Sequence, residues 1–127
     1  MVILFTPLLK LTIIPLLFSL WLLIVYRATR PRVLLIDDKR NIKATLVCRT
    51  YDEGLSALKS EKWQLLYLDH DLGCYDENGR EKTGYDIMCF LEEYPQYLPE
   101  KITIVSSNPV GRKRMQVVID KLYGDKS

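Results

Sequence analysis

Leu65-Leu66-Tyr67-Leu68-Asp69-His70-Asp71-Leu72-Gly73 is an apolar run that ends abruptly in two carboxylates flanking the only histidine of the chain. An uninterrupted run such as Trp63 to Asp69 suits a strand buried on both faces, the kind found in parallel sheets. An earlier run, Val33-Leu34-Leu35-Ile36, also ends in an acidic pair, Asp37-Asp38. Two strands that deliver acids to one sheet edge make a site suited to a divalent cation, and so to phosphate chemistry.

Around these two runs the periodicity alternates between short apolar stretches and helical patterns, the signature of an α/β unit on a mainly parallel sheet. Strands are predicted over Val33 to Asp37, Thr45 to Arg49, Trp63 to Asp69 and Ile102 to Ser106. Thr50 and Glu53 form a capping box that opens a helix with Tyr51, Leu55 and Leu58 on one face. A polar loop, residues 73–83, leads to a second helix capped by Thr83 and Asp86, with Ile87, Phe90, Leu91 and Tyr94 inward and Pro95 as its stop. Asn108-Pro109 then starts a last helix that buries Met115, Val118, Ile119 and Leu122. The order is β-β-α-β-α-β-α. Only seven residues, 38–44, separate the first two strands, so an extended return or a hairpin must replace the usual crossover helix.

Composition divides the chain near Arg27. The first 32 residues hold Lys10, Arg27, Arg30 and Arg32 and no acid, which leaves 14 basic and 16 acidic residues for the remainder. The domains expected are therefore a hydrophobic segment with a basic flank, 1–32, an α/β domain, 33–124, and a tail, 125–127. Leu11 to Tyr26 is uncharged and apolar, and with the residues before Lys10 it reaches the roughly 20 needed to cross a bilayer. Trp21 and Tyr26 near one end, followed by three arginines, predict a transmembrane helix with the globular part in the cytoplasm. A soluble cytoplasmic domain is the alternative if this segment is not part of the natural protein. The near-neutral globular part has no general nucleic-acid footprint, and no sequence-specific nucleic-acid binding is expected. Cys48, Cys74 and Cys89 lack metal-binding or disulfide spacing, consistent with a reducing compartment.

The strand ends bring Asp37-Asp38, Asp69-His70-Asp71 and Ser106-Ser107-Asn108 to one edge if the strands are parallel. Asp37, Asp38 and Asp69 offer the hard oxygen donors that Mg²⁺ and Mn²⁺ prefer. His70 could donate a proton to a leaving oxygen, ligate a softer metal, or serve as a structural histidine bonded to backbone. Strand alternation would turn its side chain away from Asp69 and Asp71. Amides after Asn108, with Gly111 permitting close approach and Arg112 alongside, form a phosphate cradle at a helix N-terminus, the alternative being a solvated basic face.

Ile36-Asp37-Asp38-Lys39-Arg40, Leu68-Asp69-His70-Asp71-Leu72-Gly73, Thr83-Gly84-Tyr85-Asp86 and Ser106-Ser107-Asn108-Pro109-Val110-Gly111-Arg112-Lys113-Arg114-Met115, in this order and spacing, resemble the cyclic-phosphate-processing receiver-like domains. The resemblance spans residues 33–122. It implies a truncated, flavodoxin-like three-layer sandwich with a four-stranded, mainly parallel sheet, and hydrolysis of cyclic or linear phosphates, on nucleotides or RNA ends, with Mg²⁺ or Mn²⁺. It implies Asp37, Asp38 and Asp69 as metal ligands, His70 and Asp71 as catalytic or supporting groups, and Ser106, Asn108 and Arg112 as phosphate binders beside Gly111. Val105 stands where many relatives have a histidine, and Lys39 where an acid is frequent. Two other readings follow from the same residues. One is a phosphoacceptor receiver that uses Asp69, although no fifth strand supplies its lysine; the other is a membrane-tethered interaction module with a degenerate site.

Overall fold

The computed structural model describes residues 2–124, with side chains from Ile13 onward. It comprises two units that meet between Arg30 and Pro31.

The first unit is one helix, α1 (Val2–Thr29). Its described apolar side chains, among them Ile14, Leu16, Phe18, Trp21 and Ile24, are exposed on every side. Arg27 lies in its last turn, where a cation suits the helix dipole. Among the described residues no helix is long and apolar enough to cross a membrane. The side chains of residues 1–12, which the expected span includes, lie outside the described set.

The second unit follows the predicted order with two additions. It contains β1 (Val33–Ile36), β2 (Leu46–Cys48), α2 (Tyr51–Ser60), β3 (Leu65–Leu68), β4 (Cys74–Tyr75), β5 (Glu81–Lys82), α3 (Gly84–Glu93), β6 (Lys101–Ile104) and α4 (Pro109–Tyr123). A 3-10 turn, Pro95–Tyr97, follows α3. The residues read as a loop over 73–83 include a small antiparallel hairpin, β4–β5.

β2, β1, β3 and β6 form one sheet in that order, every pair parallel. The register aligns Ile36 with Leu68 and Leu68 with Ile104, so the three strands end level. Leu34, Ile36, Leu66, Leu68 and Ile102 point into one core with Leu58 of α2, Ile87 and Leu91 of α3, and Met115 and Ile119 of α4. All three helices therefore cover the same face of the sheet. Leu35, also fully buried, alternates to the other face with half-buried Val33, Leu65 and Tyr67. A right-handed return from β1 to β2 must cross that second face. Here it is the extended segment 37–45, so within this unit the expected three-layer sandwich has helices in only one outer layer.

Arg49 holds the return in place. Its Nη1 donates to the carbonyls of Asp37 (3.1 Å) and Arg40 (2.6 Å), and its Nη2 to Asn41 Oδ1 (2.5 Å). The cap of α2 is a variant of the predicted box: Thr50 Oγ1 accepts from the Glu53 amide, while the Glu53 carboxylate accepts from the Arg49 amide. At α3 the predicted pair is seen as drawn, the Thr83 amide donating to Asp86 Oδ2 at 2.8 Å.

Gly84 starts α3 against the end of β3, its amide donating to the His70 carbonyl at 2.8 Å. A Cβ there would lie 2.0 Å from the Asp69 carbonyl oxygen. Backbone cannot yield as a flexible side chain can, so Gly84→Ala must displace α3 or the Asp69 peptide. We expect this variant to lose about 3 kcal/mol or more in urea unfolding, at the upper end of overpacking costs; a loss under about 1 kcal/mol would show that α3 is not seated this tightly.

Candidate functional site

The carboxyl ends of β1 and β3 lie side by side, so the residue after each strand falls at the same edge. Asp37 is fully buried and Asp69 nearly so. Each is tied to the neighbouring strand, Asp37 N–H to the Cys48 carbonyl and Asp69 N–H to the Ile36 carbonyl. With half-buried Asp38 they bring three carboxylate oxygens within 4.8 Å of one another. Three hard oxygen donors at this spacing fit Mg²⁺ or Mn²⁺, which complete their shells with water or phosphate oxygen.

Two buried acids this close repel each other unless the chain compensates. Burial pushes Asp37 up, but the amides of Arg40 and Lys39, both 2.9 Å from Oδ1, and the Arg40 guanidinium outweigh it and hold the carboxyl below its usual range. Asp69 goes the other way. Burial and the neighbouring Asp37 charge raise it, against the opposing pull of the Ser106 hydroxyl, the His70 amide and Arg40. Arg40 Nη1 sits between the two, 3.0 Å from Asp37 Oδ2 and 3.5 Å from Asp69 Oδ1.

His70 turns toward Asp71, contrary to the alternation expected of an extended strand, because β3 has already ended at Leu68. Its Nδ1 lies 2.8 Å from Asp71 Oδ1. As the carboxylate can only accept, Nδ1 carries the hydrogen, and the buried Nε2 has no hydrogen-bond partner. The ring lies against the first turn of α4. A Cβ on Gly111 would come 2.4 Å from His70 Cγ, so the glycine makes room for the imidazole. The His70 amide, not its side chain, reaches Asp69 Oδ1, at 2.8 Å. Asp71 is held below its usual range chiefly by the His70 hydrogen bond, with Asn108 adding to it.

The expected phosphate cradle on α4 is satisfied from within. Asn108 Oδ1 accepts from the Gly111 amide at 3.1 Å, and its Nδ2 donates to both Asp71 oxygens at 3.3 Å. Arg112 gives its amide to the Asn108 carbonyl and its Nη1 to the Ser106 carbonyl at 2.8 Å. The Ser106 hydroxyl, buried, accepts from the Asn108 amide at 3.1 Å. Ser106, Asn108, Gly111 and Arg112 thus brace the edge from behind. Arg114, on the same helix, stacks over Tyr85 at 4.1 Å.

An open cleft of about 490 Å³ lies over the edge, lined by Asp38, Asp69 and Asp71, by Lys39, Arg40 and Ser107, and by Gly73 and Glu81 at the hairpin. His70 is not among its lining residues, so Asp71, more than half exposed, is the member of that pair that faces the cleft. Sequence reasoning missed Lys39, Arg40 and Glu81 as cleft groups, and it brought Ser107 to this edge without giving it a role. The first two could have been found, since a basic pair directly after Asp37-Asp38 shares their turn.

Residues 32–121 match the sequence profile of the cyclic-phosphate processing receiver domain, while no curated protein and no solved structure matches the chain. The matched span takes in all four parallel strands, both acid-bearing strand ends and nearly all of α4. The chain therefore belongs to the cyclic-phosphate processing receiver domain family.

Proposed function

We propose that the domain is a metal-dependent phosphoesterase acting on cyclic or linear phosphates of the nucleotide or RNA-end type. The observation that carries this reading is the convergence of Asp37, Asp38 and Asp69 within 4.8 Å, with Asp38 and Asp69 on the lining of a cleft that Lys39 and Arg40 also line. Those three carboxylates would hold Mg²⁺ or Mn²⁺, and the bound cation would polarise a phosphoryl oxygen and lower the pKa of a coordinated water.

The remaining work falls to side chains of the chain itself. Lys39 and Ser107 on the cleft wall bind and orient the phosphate. Asp71, ionised and facing the cleft, accepts a proton at a carboxylate oxygen from the attacking water and returns it to the leaving ester oxygen as the P–O bond breaks. His70 holds Asp71 in place through Nδ1–H and acts as a positioning residue, in place of the direct proton donor expected from its type. Asn108, donating to the same carboxylate, fixes it from the α4 side. A phosphoacceptor role for Asp69 is less favoured, because this carboxylate is 5% exposed and one oxygen already accepts from the His70 amide.

We further propose that α1 anchors the domain to a membrane. From Ile13 to Tyr26 the helix is exposed and apolar on all sides and needs an apolar surrounding, and Arg27 in its last turn and Arg30 just after it form an interfacial flank.

With Mn²⁺ present, hydrolysis of at least one member of a panel of cyclic nucleotides, cyclic oligonucleotides and RNA 2′,3′-cyclic ends is expected. It should vanish with chelator and in Asp69→Asn. Asp71→Asn should lower kcat roughly 10²-fold, and His70→Ala less. Turnover that persists in Asp69→Asn would end the metal-dependent reading. Asp69 must be ionised to act as a ligand and its carboxyl is raised, so activity is full well above its pKa and falls as pH drops through it. Protons compete with the cation for this raised carboxylate, so the acid limb should move to lower pH as Mn²⁺ is raised; a limb independent of Mn²⁺ concentration would argue against Asp69. Alkaline carbonate washing of membranes should leave the full chain in the pellet and release residues 31–127; release of the full chain would overturn the anchor.

A further inference from the structure

Arg40 occupies the position where a cation is needed. One nitrogen, Nη1, lies 3.0 Å from Asp37 Oδ2 and 3.5 Å from Asp69 Oδ1, between two of the three carboxylates that converge within 4.8 Å. A nitrogen bridging two carboxylates compensates their charge as a metal would, though with weaker, longer contacts. The two cannot share the spot. Yet Arg40 is not locked there. Its side chain is 36% exposed, and it lines the cleft beside Lys39 and Ser107. Its amide bond to Asp37 Oδ1 and its carbonyl bond from Arg49 anchor the backbone, so the guanidinium can swing without the turn unfolding.

We propose that Arg40 is an exchangeable counter-ion: it neutralises Asp37 and Asp69 in the metal-free domain, is displaced when a divalent cation enters, and then binds a phosphate oxygen in the cleft. The proposal rests on the metal-dependent reading and adds to it a competition and an order of events. In the metal-free site the guanidinium is engaged with carboxylates and cannot serve an anion. Once freed, its planar donor fork suits phosphate.

Titration of the full chain with Mn²⁺ tests the competition without reference to turnover. Arg40→Gln removes the resident cation, so Mn²⁺ should bind roughly five- to tenfold tighter than to the unaltered chain, the size of one charge-assisted hydrogen bond at a half-exposed site. Lys39→Gln removes an equal charge from the same cleft without freeing a carboxylate and should change affinity far less. In metal-free protein Arg40→Gln should melt lower, and the deficit should close at saturating Mn²⁺. Arg40→Lys keeps the charge should the glutamine variant fail to fold. Its compact ammonium should restore melting partly, with intermediate Mn²⁺ affinity. Inorganic phosphate should bind the unaltered chain more tightly when Mn²⁺ is present, and Arg40→Gln should lose most of that gain. Mn²⁺ binding to the unaltered chain, with affinity in Arg40→Gln equal to or weaker than that in Lys39→Gln, would overturn the exchange and leave the metal reading standing. No Mn²⁺ binding by any of the proteins would overturn both.

Discussion

Two carboxylates buried side by side are the constraint around which the rest of this edge is built. The register that aligns Ile36 with Leu68 puts Asp37 and Asp69 next to each other, and a slip of one residue would turn every core side chain to the wrong face. The pair therefore cannot be relieved by moving a strand; it has to be balanced by what surrounds it. Asp37 Oδ1 draws the amides of Lys39 and Arg40 into a tight turn, and that turn carries the Arg40 guanidinium back over both acids. Arg49 then fastens the turn from β2 by its carbonyls. A buried charge thus dictates the loop, and the loop makes the basic wall of the cleft.

The absent helix between β1 and β2 gives that loop its importance. Parallel sheets are normally covered by helices on both faces. In this unit α2, α3 and α4 share one face with the core, and the return from β1 to β2 is extended instead of helical. A return without its own helical hydrogen bonds needs other partners for its backbone. Asp37 and Arg49 supply several of them, together with Thr45, whose amide and hydroxyl bond the Val33 carbonyl and amide. The same side chains that compensate the site thereby substitute for a secondary-structure element.

The strands, helices and caps were legible because their causes are local. Apolar runs marked the four strands, Thr50, Thr83 and Asn108 marked the helix starts, and the short 38–44 connection announced the missing helix. The three acids followed once the strands were taken as parallel. What could not be read was partner choice between elements. Asn108 and Gly111 looked like anion-binding groups, but Asn108 bonds Asp71 and Gly111 accommodates the His70 ring, contacts that depend on how α4 seats against the end of β3. Glu53 likewise caps Arg49 instead of Thr50, a shift of one residue that no spacing rule resolves. The β4–β5 hairpin escaped notice because strands of two residues have no alternation to detect.

The self-satisfied start of α4 changes how the cleft must recognise an anion. A rigid cradle of amides would be organised in advance for negative charge. Here the amides of Gly111 and Arg112 are taken, and the positive charge in the cleft comes from two long side chains, Lys39 and Arg40, that lose rotamer freedom on binding. They face Asp38, Asp69, Asp71 and Glu81 on the cleft lining, so acids outnumber bases there. A phosphate ester approaching the bare cleft meets net negative charge in a partly desolvated setting, where repulsion is poorly screened. On the proposed function its affinity would therefore depend on neutralising the carboxylates first, and charge balance at Asp37 and Asp69 would gate phosphate recognition as well as organise the loop.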